Sequence, residues 1–247
     1  MNVIVIAAGS GKRLGSETKD LPKYLIDVNG KTIMEHQLEV FKKTQYNKFI
    51  IIIGPHKERF TFRDAIYVED TNYSQHDILG SLMEARNFIV GDVLVVYSDI
   101  IFDSSILSQV MKADADIGIA IDMDWEKAYE GRTEHPRSEA ENVLLDDGNI
   151  LKIRKNITST QNKVGEFLGI MKLSARGAKI FVSKFQDLER SHHGPFQTAP
   201  SLHKAYLTDM IQELVDSKII VKPIIVSGKW CEIDTRQDLQ RACKMFS

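Results

Sequence analysis

The residues best equipped for chemistry lie in two places. The first is Ala7-Ala8-Gly9-Ser10-Gly11-Lys12-Arg13-Leu14-Gly15, followed by Leu21-Pro22-Lys23. Glycines let a backbone approach a ligand closely and turn its amides inward. Amides so arranged suit phosphate oxygens, and Lys12, Arg13 and Lys23 add positive charge. The pattern is not a P-loop, because no Gly-Lys-Ser/Thr closes it. Nor is it the dinucleotide fingerprint, because Leu14 stands where the third glycine belongs. A plain strand-to-helix turn with solvated lysines is the competing reading. Two small residues before the glycines, two adjacent cations after them and Pro22-Lys23 further on favour the phosphate loop. The second place is a pair of aspartates, Asp99 in Tyr97-Ser98-Asp99-Ile100 and Asp234 in Trp230-Cys231-Glu232-Ile233-Asp234-Thr235. Each follows an apolar run that reads as a sheet strand, and carboxylates at the C-terminal ends of parallel strands point into the crevice where ligands bind. Two carboxylates leave most of an octahedral shell to water and phosphate oxygens, which suits Mg²⁺. Either aspartate alone reads as a turn residue or a helix cap; the two beside a phosphate loop point to a metal.

Elements that could hold these groups follow from the hydrophobic pattern. Asn2–Ala7 reads as a buried strand leading into the glycine loop, Thr32–Lys43 as a helix, and Phe49–Ile53, ended by Gly54-Pro55, as a second buried strand. Ala65–Val68, Asp92–Tyr97 and Ile117–Ile121 read as further strands, with a helix over Leu79–Phe88. Strands alternating with helices predict a parallel sheet covered on both faces. The second half is less regular. Asp122–Glu139 is polar and aromatic without a clean period, and reads as an excursion over the sheet edge. Val143–Leu145 and Ile150–Ile153 flank Asp146-Asp147-Gly148-Asn149, a strong hairpin signal. Phe167–Leu173, Ile219–Val226 and Trp230–Ile233 read as strands. Helices are expected from Ser174 to about Phe185, over Leu202–Val215, and from Thr235 to Met245.

Composition limits the function classes. Hydrophobic residues make up 43% and charged residues 27%, ordinary for a globular enzyme and unlike a disordered tail, a fibre or a membrane bundle. The formal net charge of −2 and the absence of a polybasic block argue against nucleic acid. Two cysteines, Cys231 and Cys243, are too few for a disulfide scaffold, so a reduced cytoplasm is the expected location. No signal-peptide pattern opens the chain, and the longest other apolar run, Phe49–Ile53, is far short of the ~20 residues a membrane helix needs. The 247 residues are expected to form one domain.

At this point the sequence resembles a known family. Ala7–Arg13 with Leu21-Pro22-Lys23 is similar to the signature of nucleotidyltransferases that join a nucleoside triphosphate to a phosphorylated small molecule. Ser98-Asp99 resembles their metal-binding Gly-Asp, with serine in place of glycine. Trp230–Thr235 resembles their Trp-x-Glu-Ile-Asp-Thr segment, where Asp234 would be the second metal ligand, and Gly165–Gly169 resembles the strand beneath the substrate pocket. Asp122-x-Asp124-Trp125, Tyr129-x-Gly131-Arg132-Thr133 and Ala205–Asp209 resemble segments of phosphocholine and phosphonate cytidylyltransferases. The resemblance implies an α/β fold. It would be a single Rossmann-like nucleotidyltransferase domain, its central sheet mainly parallel with helices on both faces and a small mixed β extension. Residues 1–121 would form the nucleotide-binding half and residues 122–247 the acceptor-binding half, with the C-terminal metal ligand.

The implied reaction is attack by a phosphate or phosphonate oxygen on the α-phosphorus of CTP, with pyrophosphate leaving and Mg²⁺ on Asp99 and Asp234. An acceptor oxygen already ionised at neutral pH needs no general base, so catalysis is positioning and charge neutralisation. Ala7, Ala8, Gly9, Ser10, Gly11, Lys12 and Arg13 would hold the triphosphate, and Lys23 would offset charge on the α-phosphate. Asp77, Gly80 and Ser81 would approach the nucleoside, and Glu166 would face the acceptor. Arg132 and Arg137 can meet phosphonate oxygens with paired hydrogen bonds. Trp125 and Tyr129 are either core or aromatic faces for a cationic head. The segment Trp125–Arg137 has two readings, a lid over the acceptor or a homodimer contact. Glu134, Glu139 and Glu141 read as a solvated face, and Cys231 as a buried filler. The rival enzyme reading is a sugar-1-phosphate nucleotidyltransferase using UTP, GTP or dTTP.

Overall fold

Every residue of β1 (Asn2–Ala7) is buried; Val3, Val5 and Ala7 pack into one apolar cluster and Ile4 and Ile6 into another. A strand apolar without interruption from Val3 to Ala7 is what a sheet covered on both faces requires. The computed structural model describes residues 1–9, Leu14, residues 21–159 and residues 161–247. After β1 come β2 (Asp27–Val28), β3 (Lys31–Thr32), α1 (Ile33–Phe41), β4 (Lys48–Ile53), β5 (Ile66–Glu69) and α2 (Ile78–Glu84). Next are β6 (Val93–Tyr97), β7 (Ile100–Phe102), α3 (Ser104–Lys112), β8 (Ile117–Asp122), β9 (Glu141–Asp146), β10 (Asn149–Lys155) and β11 (Lys163–Leu173). The chain finishes with α4 (Ala175–Ser191), α5 (Leu207–Asp216), β12 (Lys222–Val226), β13 (Trp230–Glu232) and α6 (Arg236–Met245).

The main sheet runs β10-β9-β11-β6-β1-β4-β5, with β8 also paired to β11 and β12 to β8. Its centre, β6-β1-β4-β5, is parallel. Beyond β6 the pairing turns antiparallel, because β11 runs against β6, β8 and β9, and only β8/β12 is parallel again. The mixed extension is therefore larger than expected. Helices α1, α3 and α6 contribute to the cluster containing Val3 and Val5, and α2, α4 and α5 to the cluster containing Ile4 and Ile6. Local signals explain several ends. Thr32 and Glu35 form a capping box at the start of α1, and Thr235 and Asp238 another at the start of α6. Asp147 and Gly148, both at positive φ, make the two-residue hairpin turn between β9 and β10.

Other boundaries moved for tertiary reasons. Helix α5 begins at Leu207 instead of Leu202, because Asp209 binds Tyr206 N and also holds the preceding loop through Thr198. Helix α4 runs to Ser191, past Phe185, with Leu188 packed on the core. Residues 122–139 form an excursion with two 3-10 turns, Trp125–Tyr129 and Arg137–Glu139. Strand β13 belongs to a separate antiparallel ribbon with β7 and not to the parallel sheet, which corrects the placement of Asp234. Among the described residues no helix is long and apolar enough to cross a membrane.

Candidate active site

Lys23 opens a short 3-10 turn (Lys23–Leu25) directly after Pro22, whose fixed φ suits it to the residue before a turn. Its neighbour Tyr24 is buried and donates to Gln37 Oε1 from its hydroxyl at 2.9 Å. Gln37, buried on α1, donates in turn to the carbonyls of Tyr97 (2.8 Å) and Ile100 (2.7 Å). Those two carbonyls bracket Ser98-Asp99, so one amide side chain ties the Lys23 turn to the Asp99 turn. Asp99 sits just past β6, as a carboxylate at the end of a parallel strand should.

The β7/β13 ribbon brings in the second aspartate. Glu232 pairs with Ile100, and Ile233 N donates to Asp99 O at 2.8 Å, which carries the ribbon one step further and sets Asp234 beside Asp99. Lys23 Nζ lies between the two, 3.0 Å from Asp99 Oδ2 and in direct contact with Asp234 Oδ1. Burial pulls the Lys23 pKa down, but Asp99 and Asp234 outweigh it and hold the ammonium above its ordinary value. Beyond Asp234 the charges continue to alternate. His135 Nδ1 is 3.4 Å from Asp234 Oδ2, His135 Nε2 is 3.6 Å from Glu232 Oε2, and Arg132 Nη2 is 3.5 Å from the same glutamate oxygen. Arg132 Nε also donates to Asp238 Oδ1 at 2.8 Å. Burial disfavours the Asp238 anion, yet Arg132 and Thr235, which hydrogen-bond to it, hold its carboxyl below the usual range.

A cleft opens beside this row, lined among others by Tyr97, Glu141, Lys155, Glu166, Tyr206 and Asp234. Its carboxyls are crowded. Burial, then the charges of Asp234 and Asp99, push Glu232 up to about 7. Glu141 is raised to about 8 by burial and by Glu232 and Asp99, against the pull of Lys155. Glu166 is raised well above its ordinary value, first by burial and then by Glu232. Glu166 Oε1 accepts from Tyr129 at 2.6 Å, while Oε2 is buried without a hydrogen-bond partner among the described residues. Gly169, at positive φ, lies where β11 shifts register, and a Cβ there would come within 2.4 Å of the Tyr97 ring. Glycine therefore lets Tyr97 lie flat in the wall, with its hydroxyl 3.3 Å from Glu141 Oε2.

The structure brings together Lys23, Asp99, Asp234 and Glu166 around this cleft. Ala7 and Ala8 are buried at the end of β1 and Gly9 is exposed there, while Ser10, Gly11, Lys12 and Arg13 lie outside the described residues. At the start of α2, Asp77 is exposed, its carboxyl raised by partial desolvation. Its two neighbours expected near the nucleoside have roles within the fold. Ser81 Oγ is turned into the interior, donating to the buried Asp70 at 2.7 Å, and Gly80 packs so tightly that a Cβ would strike His203 O. Three more side chains, from residues 125–139, pack within the fold, and Trp125 and Tyr129 take the first of their two expected readings, core. Trp125 is buried, with Nε1 donating to Val164 O. Tyr129 is buried against Trp125 and Glu166. Arg132 stacks on the Tyr129 ring and pairs with Asp238, so it binds α6 and not an acceptor. Trp125 and Tyr129 thus have partners within the chain, while Arg132 Nη2 is buried without a hydrogen-bond partner among the described residues. Arg137 stays exposed beside Glu126.

Sequence reasoning missed His135, Glu232, Glu141, Tyr97 and Lys155. Glu232 had a signal, since it is two residues from Asp234 and so shares its side of an extended strand. Glu141, expected on a solvated face, lines the cleft. Cys231 is buried as expected, and burial raises its thiol to about 12, far from a nucleophile at neutral pH.

Residues 3–137 match the profile of the MobA-like NTP transferase domain. CTP:phosphoglutamine cytidylyltransferase of Campylobacter jejuni is 23% identical over 97% of this chain and 98% of its own. Choline-phosphate cytidylyltransferase of Streptococcus pneumoniae is 31% identical over 41% of this chain and 46% of its own, so the chain spans less than half of that relative. The solved structure of CTP:phosphocholine cytidylyltransferase from Streptococcus pneumoniae superimposes with a TM-score of 0.74, at 22% identity, over 100% of this chain and 99% of that one. The fold is thus that of the nucleotidyltransferases.

Proposed function

The chain belongs to the MobA-like NTP transferase domain family. From that premise we propose that it is a cytidylyltransferase, moving CMP from CTP to a small phosphonate or phosphate monoester. The observation that carries the reading is the meeting of Lys23, Asp99 and Asp234 at the mouth of an acid-lined cleft. The relative matched end to end supports CTP as donor.

In the proposed reaction an acceptor oxygen forms a bond to the α-phosphorus as the bond to the leaving pyrophosphate breaks. Residues 1–121 would hold the nucleotide, with residues 7–13 on its phosphates, and residues 122–247 would hold the acceptor. Asp99 and Asp234 are close enough to share one cation, as the Lys23 ammonium between them demonstrates, and they would hold a divalent ion such as Mg²⁺. When bound, that ion supplies charge neutralisation at the reacting phosphate and orients the acceptor oxygen. Lys23 would then turn to the α-phosphate, a fixed charge aimed where negative charge gathers. The tail of the acceptor faces Glu141 and Glu166 together with the rings of Tyr97 and Tyr206. Carboxyls crowded this closely, beside aromatic faces, favour an ammonium group. Acceptors such as 2-aminoethylphosphonate or phosphocholine fit this better than 2-hydroxyethylphosphonate or a sugar phosphate.

Pyrophosphate release measured across CTP, UTP, GTP and dTTP, against those acceptors, phosphoethanolamine and several sugar 1-phosphates, tests the reading. Turnover is expected with CTP and ammonium-bearing acceptors. Turnover confined to UTP, GTP or dTTP with sugar 1-phosphates would replace it with sugar-nucleotide synthesis.

A further inference from the structure

His135 is the least exposed histidine of the cleft at 2%, yet neither of its ring nitrogens has a hydrogen-bond partner among the described residues. A buried imidazole in that condition forfeits two polar interactions it had in water, which calls for an explanation. Its nitrogens are not far from polar atoms. They face carboxylates at 3.4 Å (Asp234), 3.6 Å (Glu232) and 3.8 Å (Asp238), too long or too badly aligned to be hydrogen bonds. One donor atom each from His135, Glu232 and Asp234 can be chosen so that all three lie within 4.8 Å of one another. Ligands about 2.1 Å from a common tetrahedral centre stand roughly 3.4 Å apart. The 3.6 Å from Nε2 to Glu232 Oε2 is thus close to one edge of a coordination shell and long for direct pairing, while the 3.4 Å to Asp234 Oδ2 is measured from the other nitrogen, Nδ1.

The surroundings also resemble a supported ligand. With Nε2 on the ion, Nδ1 is left facing Asp238 Oδ2 at 3.8 Å, a carboxylate outside the ligand set and the usual kind of partner that fixes the tautomer and orientation of a metal-bound histidine. The Tyr129 ring stands edge-on to the imidazole with centroids 6.0 Å apart, and Arg132 pins Tyr129 and Asp238 from the far side.

We propose that His135 contributes a nitrogen ligand, with Glu232 and Asp234, to the divalent-cation site, so that the site takes a transition-metal ion such as Mn²⁺ in preference to Mg²⁺. Mn²⁺ shares the octahedral oxygen preference of Mg²⁺ but, as a transition metal, accepts an imidazole nitrogen more readily, whereas Mg²⁺ selects oxygen and retains its waters. The inference rests on the proposed function only in placing a divalent cation among these carboxylates, and it does not depend on which acceptor is used.

The test is direct. Protein loaded with Mn²⁺, with and without CTP, is examined by pulsed electron paramagnetic resonance for coupling to a directly bound ¹⁴N. Mn²⁺ and Mg²⁺ affinities are measured by titration and competition. Wild type is expected to show the nitrogen coupling in at least one of the two states. His135→Gln should abolish it and weaken Mn²⁺ binding by at least about 10-fold, with a smaller change for Mg²⁺. Bound Mn²⁺ without nitrogen coupling in both wild-type samples, or no Mn²⁺ binding in either, overturns the proposal without recourse to any variant. Unchanged Mn²⁺ affinity in a folded His135→Gln protein also overturns it. Nitrogen coupling in a protein that releases no pyrophosphate from any nucleotide would leave this inference standing and sink the cytidylyltransferase reading alone.

Discussion

Lys23 stands where its ammonium neutralises two aspartates, and this gives it two tasks at different moments. In the structure it holds Asp99 and Asp234 together. In the proposed reaction Asp99 and Asp234 would hold a divalent ion with those oxygens, and the Lys23 ammonium would reach the α-phosphate instead. Contacts made only with the transition state affect turnover more than binding. Lys23→Ala is therefore expected to lower kcat by about 100-fold or more while changing CTP affinity far less. Steady-state kinetics beside equilibrium CTP binding measures both; equal losses in the two would assign Lys23 to ground-state binding. Arg132 shows the opposite case. It has the chemistry to bind a phosphonate, but Asp238, Glu232 and the Tyr129 ring already take its guanidinium.

The ribbon and the Gln37 bracket are what turn separate residues into a site. Asp99 follows a five-residue strand of the parallel sheet and Asp234 a three-residue strand outside it. Gln37, reaching from α1, fixes the backbone on both sides of Asp99. Gln37→Met keeps the volume but strands two buried carbonyls and the Tyr24 hydroxyl. A buried polar group left unpaired costs about 1–3 kcal/mol. A loss of at least about 2 kcal/mol is expected, read as a fall in Tm of roughly 4 °C or more for a chain of this size. The same variant should lower kcat with little change in the KM for CTP, since it loosens Asp99 without touching nucleotide. A melting curve identical to wild type would show that the bracket does not matter. This element was not legible in the sequence. The parallel strands, the two capping boxes and the hairpin were legible, because each depends on residues next to one another. Short strands β7 and β13 carry too few residues for a period, and their pairing is decided by contacts more than a hundred residues apart. The partners of Arg132 and Tyr129 were not legible for the same reason, Asp238 and Glu166 being 106 and 37 residues away.

At the scale of the whole molecule, the cleft is a concentration of negative charge that the fold must tolerate. Glu141 illustrates the pH consequence. Its carboxyl titrates near 8 in the folded chain, raised by burial and neighbouring charges, against an ordinary value of 4.5. Between those values the unfolded chain has lost a proton that the folded chain keeps, so stability falls as pH rises from about 4.5 to about 8 and then levels. Glu141→Gln removes that dependence. Its Tm relative to wild type should climb from pH 5 to pH 8 and stay constant above, and a difference that is flat across this range would place Glu141 in ordinary solvent. The same large sheet governs motion. Strand β11 bonds to β9 along Lys163–Glu166, to β8 along Glu166–Leu173 and to β6 along Ile170–Leu173. It acts as a splint across the two ends of the sheet. A hinge between them would have to shear three ladders of hydrogen bonds at once, so β11 opposes any clamping motion across the sheet. In the proposed reaction substrates would enter and leave by movements of the chain outside the sheet, and little of the acceptor's binding energy would be diverted into closing one lobe on another. It remains available for alignment at the phosphorus atom.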